Sequence, residues 1–162
     1  MALRPFPSGL HAFSPSVLIA TVGGAGRLQP ASGTWGSLAA LGIGLLWISV
    51  APASSLLIGA LLAYAVGVWA CTHWLKHDAT EDPQAIVIDE LVGMWMALAV
   101  APPHIWGYLG AFVLFRFFDI VKLWPANWID QNIDGPHGIM ADDVIAGLYA
   151  MAILMLIQYF NQ

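Results

Sequence analysis

The sequence predicts an all-α membrane protein, a polytopic transmembrane helical bundle of about four to five spans plus an N-terminal interfacial or re-entrant segment. Of its 162 residues, 59% are hydrophobic and only 9% are charged, and the mean hydropathy is +0.75. Soluble domains carry about 25% charged residues, so this chain is too apolar for an aqueous surface. Its length, with no repeat or linker, predicts a single integral membrane domain over residues 1–162.

Charge, cysteine content and the first residues exclude several classes of protein. The net charge of −5 argues against a nucleic-acid-binding protein, which needs clustered Lys and Arg. A single cysteine, Cys71, excludes an intramolecular disulfide and a Cys-rich metal site, and we interpret it as a packing residue. Arg4 is followed by Pro5, Pro7 and Pro15, which interrupt the apolar core that a signal peptide requires.

The first half of the chain predicts one short segment and two spans. Ser16–Gly26 is apolar but too short and Gly-rich to cross a bilayer, which takes about 20 residues. We expect it to be interfacial or re-entrant, and the sequence leaves both open. The first span is predicted over Gly36–Val50, with Thr34 or Ser37 as the N-cap, and the second over Ser55–Leu75.

The second half predicts three more spans separated by polar segments. A polar loop over His77–Pro83 precedes the third span, Gln84–Val100. The fourth span runs over Ile105–Val121, and the fifth, Asp142–Phe160, follows a long irregular segment, Leu123–Ala141. The basic residues fall in the N-terminal segment and the longer loops, which the positive-inside rule places in the cytoplasm. They are Arg4, Arg27, Lys76 and Lys122.

Two adjacent carboxylates, Asp89 and Glu90, lie inside the apolar run Ala85–Met96. A charged side chain at the centre of a membrane helix costs at least ~2.5 kcal/mol, so the pair needs a cationic partner. We expect a bound metal ion there.

More charged residues fall at the same predicted membrane face. Arg116, Asp119 and Lys122 share one helix face at spacing i, i+3, i+6, and Asp142 with Asp143 begins the fifth span. The five carboxylates outnumber the two cations, and an all-oxygen donor set indicates a hard ion, Mg²⁺ or Mn²⁺. Arg and Lys beside such an ion suit a phosphate group. The pattern therefore indicates phosphoryl transfer or hydrolysis at a lipid head group.

Most of these residues also have a structural interpretation when taken alone. Asp142 and Asp143 could be helix N-cap residues, Arg116 and Asp119 a structural ion pair, and Lys122 an interface anchor. A second group is interpreted structurally throughout. Asp130 is taken as a solvated loop carboxylate, Asp134–Gly135 as a turn, His137 as structural, and Gly93 and Gly147 as sites of close helix packing.

Four motifs in order between Thr21 and Gly147 resemble the phosphatidylglycerophosphatase A family of bacterial inner-membrane lipid phosphatases. The motifs are GTWGSLAA (Gly33–Ala40), IVIDELVGMW (Ile86–Trp95), FRFFDIVKLWP (Phe115–Pro125) and GIMADDVIAG (Gly138–Gly147). The resemblance implies Mg²⁺-dependent removal of the terminal phosphate of phosphatidylglycerophosphate. It also implies a multi-pass protein of the bacterial inner membrane with its active site facing the cytoplasm.

The resemblance assigns roles to individual residues. The expected catalytic residues are Asp89, Glu90, Asp119, Asp142 and Asp143, of which all except Asp119 are expected metal ligands. Asp119 would be a ligand or the general base for water, and a covalent aspartyl-phosphate is the mechanistic alternative. The expected phosphate-binding residues are Arg116, Lys122, Thr34 and Ser37.

Three other functions make different predictions. A cation- or proton-coupled transporter predicts acids distributed through the depth of the bilayer. A non-catalytic membrane subunit predicts that Asp89→Asn leaves activity intact. A CDP-alcohol phosphotransferase is disfavoured because its spaced Asp-Gly-x-x-Ala-Arg signature is absent from the sequence.

Overall fold

α-Helices make up most of the chain in the computed structural model, which describes residues 2–5, 7, 9–78 and 83–161. The all-α prediction is confirmed for this part of the chain. Residues 79–82, within the predicted loop His77–Pro83, lie outside the described residues.

The N-terminal segment forms a small layer at one end of the bundle. Strand β1 (Ala2–Leu3) pairs antiparallel with β2 (Leu28–Gln29), and helix α1 (Pro15–Ala20) lies between them in sequence. Six residues of helix are far too few to cross a bilayer, as expected for Ser16–Gly26.

Helix α2 (Ser32–Ile48) begins four residues before the predicted start of the first span. Its N-cap is Ala31, so the prediction that Thr34 or Ser37 caps the helix is wrong. Both lie inside the helix, where the Ser37 hydroxyl donates to the Gly33 carbonyl at 2.8 Å. Helix α3 (Ser55–Leu75) has the predicted bounds.

Helix α4 (Ile88–Ala99) occupies the centre of the bundle and packs against α2, α3 and the two long helices that follow it. Ten of its 12 residues are buried. The predicted span Gln84–Val100 is therefore too long, because the helix rises only about 18 Å, less than a bilayer core of about 30 Å. The residues before it form a turn, in which the Ile86 N–H donates to the Pro83 carbonyl at 2.8 Å, and the Val87 N–H donates to the Ala20 carbonyl at 2.8 Å.

Helix α5 (Ile105–Val121) has the predicted bounds and ends at Lys122, whose φ of 48° is left-handed. The predicted irregular segment Leu123–Ala141 is wrong, because it contains α6 (Ala126–Asn132) and the start of α7 (Pro136–Phe160). Pro136 is tolerated there because the first helical residues need no N–H donor.

Asp142 and Asp143 consequently lie in the second turn of α7, and Gly135 is its N-cap. The interpretation of these two aspartates as helix caps is wrong.

Within the described residues, two helical segments are long and apolar enough to cross a membrane, Ala53–Leu75 and Pro136–Phe160. The expected four to five spans are not confirmed. Large apolar side chains nevertheless cover the outside of α3 and α5, among them Ile58, Leu61 and Val113.

Candidate active site

Two glycines, each one helical turn C-terminal to an acidic residue, bring α4 and α7 close together. A methyl group placed on Gly147 would lie 2.9 Å from Cα of Gly93, so the two backbones are in contact there. Gly93 follows Asp89 by four residues and Gly147 follows Asp143 by four, about one helical turn in each case. The contact therefore places the two aspartates side by side, and the predicted packing role of both glycines is confirmed.

Three carboxylates form the centre of the site. Oxygen atoms of Asp89, Glu90 and Asp143 all lie within 4.8 Å of one another. Glu90 and Asp143 are buried. The Glu90 Oε2 atom has no hydrogen-bond partner in the described part of the chain, and its Oε1 atom lies against the backbone at Gly33 of α2. An all-oxygen cluster with an unpaired buried oxygen fits a hard divalent cation.

Arg116 lies behind this cluster and forms an ion pair with Asp119 one turn along α5. Its Nη1 atom also donates to the Ser37 hydroxyl at 3.3 Å. The Asp119 carboxyl group in turn lies close to that of Asp143. A chain of polar contacts thus joins α2, α5 and α7, with Asp119 as its link to the acidic cluster.

Lys122 reaches the site from the end of α5. Its Nζ atom lies 2.5 Å from Asp130 Oδ1 and 2.7 Å from Asp142 Oδ2. Burial lowers the pKa of Lys122, but hydrogen bonds and charges from both carboxylates outweigh this and raise the pKa above its ordinary value. Lys122 therefore carries a positive charge throughout the neutral pH range.

The predicted carboxylates converge on one cavity of about 250 Å³. All five expected catalytic residues and Lys122 line it: Asp89, Glu90, Asp119, Asp142, Asp143 and Lys122. Asp142 is not part of the three-carboxylate cluster. Its Oδ2 atom accepts a hydrogen bond from Lys122, and its Oδ1 atom is buried without a partner among the described residues.

Three expected phosphate-binding residues do not line the cavity. Arg116 and Ser37 are hydrogen-bonded to each other outside the cavity lining, and Thr34 on α2 is not part of the lining either. From the same stretch, Ser32 lines the cavity instead. The sequence signal for Ser32 is its place in the same SGTWGS motif, two residues before Thr34 and five before Ser37.

Asp130 and Asp134 also line the cavity, although neither was expected to take part. The interpretation of Asp130 as a solvated loop carboxylate is wrong, because it lies on α6 and pairs with Lys122. Asp134 lies two residues beyond the end of α6, so helix periodicity does not place it beside Asp130, and only the tertiary structure brings the two to one cavity.

Comparison with known proteins gives one family. The family described as Phosphatidylglycerophosphatase A matches residues 18–158. A protein of that name from Haemophilus influenzae is 38% identical over 148 residues, covering 91% of each chain. Another from Escherichia coli is 36% identical over 151 residues, covering 93% of this chain and 87% of its own length.

A third relative, from Bacteroides thetaiotaomicron, is provisionally named phosphatidylinositol-3-phosphatase. It is 36% identical over 154 residues, covering 88% of this chain and 93% of its own length. No solved structure matches the chain at a significant level.

Proposed function

We infer the function of this chain from its family: it belongs to the phosphatidylglycerophosphatase A family and is a phosphoric monoester hydrolase. From this membership we propose that it removes the terminal phosphate of phosphatidylglycerophosphate with the help of Mg²⁺, giving phosphatidylglycerol and inorganic phosphate. The observation that carries the proposal is the convergence of five carboxylates and one lysine on a single cavity. This chemistry belongs to phospholipid biosynthesis.

The acidic cluster is suited to hold Mg²⁺. We assign Asp89, Glu90 and Asp143 as its ligands, because their oxygen atoms lie within 4.8 Å of one another. The Asp142 Oδ1 atom has no hydrogen-bond partner among the residues that the structure describes, so Asp142 is the fourth candidate ligand. When bound, the ion would offset the carboxylate charges and stabilise negative charge that develops on the phosphate.

Lys122 is the residue best placed to bind the phosphate, because its ammonium group lies on the cavity wall. Arg116 takes a different role from the one expected. Since it contacts Asp119 and Ser37 and does not line the cavity, we assign it the positioning of Asp119.

Asp119 lines the cavity and is suited to act as the general base. It would accept a proton from a water molecule whose oxygen attacks phosphorus. The phosphorus–oxygen ester bond then breaks, and the glycerol oxygen leaves and takes up a proton, so that one water is consumed for each phosphate released. In the alternative route an aspartate attacks phosphorus, and the protein would carry substrate phosphate after rapid acid quench.

We place the protein in the bacterial cytoplasmic membrane as a multi-pass protein with the site facing the cytoplasm. Two apolar helices and the apolar outer faces of α3 and α5 support membrane association. Basic residues gather at the end of the bundle that holds the cavity. Lys122 lines it, and Arg4 donates to the cavity-lining Gln84 at 2.6 Å.

The transporter alternative is not favoured. Acids that conduct a cation are expected along the depth of the bilayer, whereas here the five expected acids share one cavity.

The decisive experiment measures phosphate release from phosphatidylglycerophosphate by detergent-purified protein, with Mg²⁺ or with EDTA, beside Asp89→Asn. Release that requires Mg²⁺ and disappears in the variant is the expected result. Phosphatidylinositol 3-phosphate should be assayed in parallel, given the name of the Bacteroides relative. Absence of release from folded protein under every condition would overturn the proposal.

A further inference from the structure

Lys122 is held between two carboxylates that differ sharply in exposure. The Asp142 side chain, on the long helix α7, is 11% exposed, whereas the Asp130 side chain, on the seven-residue helix α6, is 40% exposed. Lys122 itself is 31% exposed. Asp142 is therefore the inner partner of the ammonium group, and Asp130 is the partner on the solvent side.

The two contacts of Lys122 differ in the free energy that is needed to break them. Separating Lys122 from Asp142 would leave a buried carboxylate without its cation, which is strongly unfavourable. Separating Lys122 from Asp130 lets a half-exposed carboxylate return to water, and exposed ion pairs of this kind contribute little to stability. The Asp130 contact is thus the one that an incoming anion can replace.

A phosphate group in the cavity needs the same ammonium group. With both aspartates in place, Lys122 carries one positive charge against two negative ones. Asp130 is the more exposed of the two carboxylates, so it is the one that repels a phosphate anion approaching from solvent. We propose that Asp130 competes with phosphate for Lys122, binding the lysine when the cavity holds no phosphate and yielding it when phosphate arrives. Asp130 thereby weakens retention of the inorganic phosphate product. This inference rests on the proposed function.

The test compares inorganic phosphate binding by the full-length protein in detergent with Mg²⁺, using titration calorimetry and competitive inhibition of lipid hydrolysis. Asp130→Asn keeps the side-chain shape and removes the charge, so phosphate should bind roughly two- to five-fold more tightly. The KM for the lipid should fall in parallel. Asp130→Glu keeps the charge and should remain near the wild-type value.

Asp134→Asn is the matched control. Asp134 lines the same cavity and carries the same charge, but the carboxylates bonded to Lys122 among the described residues are those of Asp130 and Asp142. Removal of the Asp134 charge should therefore change phosphate affinity less than removal of the Asp130 charge.

Unchanged or weaker phosphate binding in Asp130→Asn would overturn the proposal. An equal gain in phosphate affinity in Asp134→Asn would overturn it as well, because the gain would then come from the lower net negative charge of the cavity and not from the contact with Lys122. If Asp130→Asn does not fold, Asp130→Ser gives the same comparison. Calorimetry needs no turnover, so a wild-type protein that binds phosphate but does not hydrolyse the lipid would refute the proposed function separately.

Discussion

The buried carboxylate of Glu90 indicates most clearly what the site needs to bind. Its carboxylate is buried, one oxygen has no partner among the described residues, and the other lies against the Gly33 backbone. Arg116 lies near this carboxylate but is paired with Asp119, so the buried Glu90 charge is compensated only in part and opposes folding. We therefore propose that a bound cation stabilises the ionised Glu90 side chain.

Replacing Glu90 with Gln tests this directly. The variant removes the charge with little change in volume, so we expect the metal-free protein to be as stable as wild type or more stable. We also expect the rise in melting temperature caused by Mg²⁺ to disappear. Activity should fall at least about 100-fold, since even outer-shell partners of metal ligands cost about 10- to 100-fold.

Thermal unfolding in detergent with and without Mg²⁺ provides the measurement, with Asp134→Asn as a control that should retain the Mg²⁺ response. A full Mg²⁺ response in Glu90→Gln would contradict the assigned ligand role.

Arg116 gives a second prediction at this scale. Its Nη1 atom contacts both Asp119 and Ser37, and the rigid guanidinium group holds that atom in place, whereas a lysine carries its ammonium group on a flexible stem. For Arg116→Lys we expect kcat to fall roughly 10- to 100-fold, the cost of a charged hydrogen bond, with KM nearly unchanged. Steady-state kinetics will give the separate effects on kcat and KM. A rise in KM at constant kcat would instead indicate direct phosphate contact.

The sequence predicted the central acids but not their neighbours, for a physical reason. Asp89 and Glu90 stand in an apolar run, where a charge is so costly that only a function explains it. Asp130 is followed by Gln131 and Asn132, and among polar neighbours a carboxylate carries no such cost. Its importance comes from the contact with Lys122, which depends on tertiary structure.

Among the helices, the contact between α4 and α7 determines the geometry of the acidic cluster. It rests on Gly93 and Gly147, where no side chain separates the two backbones. Any group added there must push the helices apart, and Asp143 would move away from Asp89.

Gly147→Ala should therefore destabilise the protein by about 1–3 kcal/mol, the usual cost of overpacking, and reduce activity. Gly110→Ala on α5 is the matched control, because a methyl group there meets nothing within 4 Å. It should leave stability unchanged or raise it, since alanine favours helix more than glycine does. Denaturant unfolding and phosphate release report the two effects, and equal behaviour of the variants would refute the packing argument.

The sequence predicted some helices well and others poorly. α3 and α5 are apolar runs with a proline-containing turn before them, so their bounds were evident. α4 was predicted too long because the residues just before it, Ala85–Val87, are as apolar and as buried as the helix itself. α6 and the start of α7 were missed because Gly135 and Pro136 are typical of turns, yet here they begin a helix.

For the whole molecule, the proposed orientation can be tested by labelling. Ser32 at the start of α2 lines the cavity, so the turn after α2, which includes the exposed Val50, lies at the opposite end of the bundle. In a Cys71→Ala background, Val50→Cys should react with a membrane-impermeant maleimide in spheroplasts. Asp134→Cys should react only after the membrane is permeabilised. The reverse pattern would place the site outside the cytoplasm.

The enclosure of α4 by its neighbours also determines how the chain can enter a bilayer. A 12-residue helix that carries two carboxylates in its first turn is a poor substrate for independent insertion by the translocon. α3 is long and apolar enough to insert alone, and it is made before α4 during synthesis. We therefore expect α4 to enter only by assembling against helices already in the membrane. The packing around α4 is complete only after α7 has emerged from the ribosome.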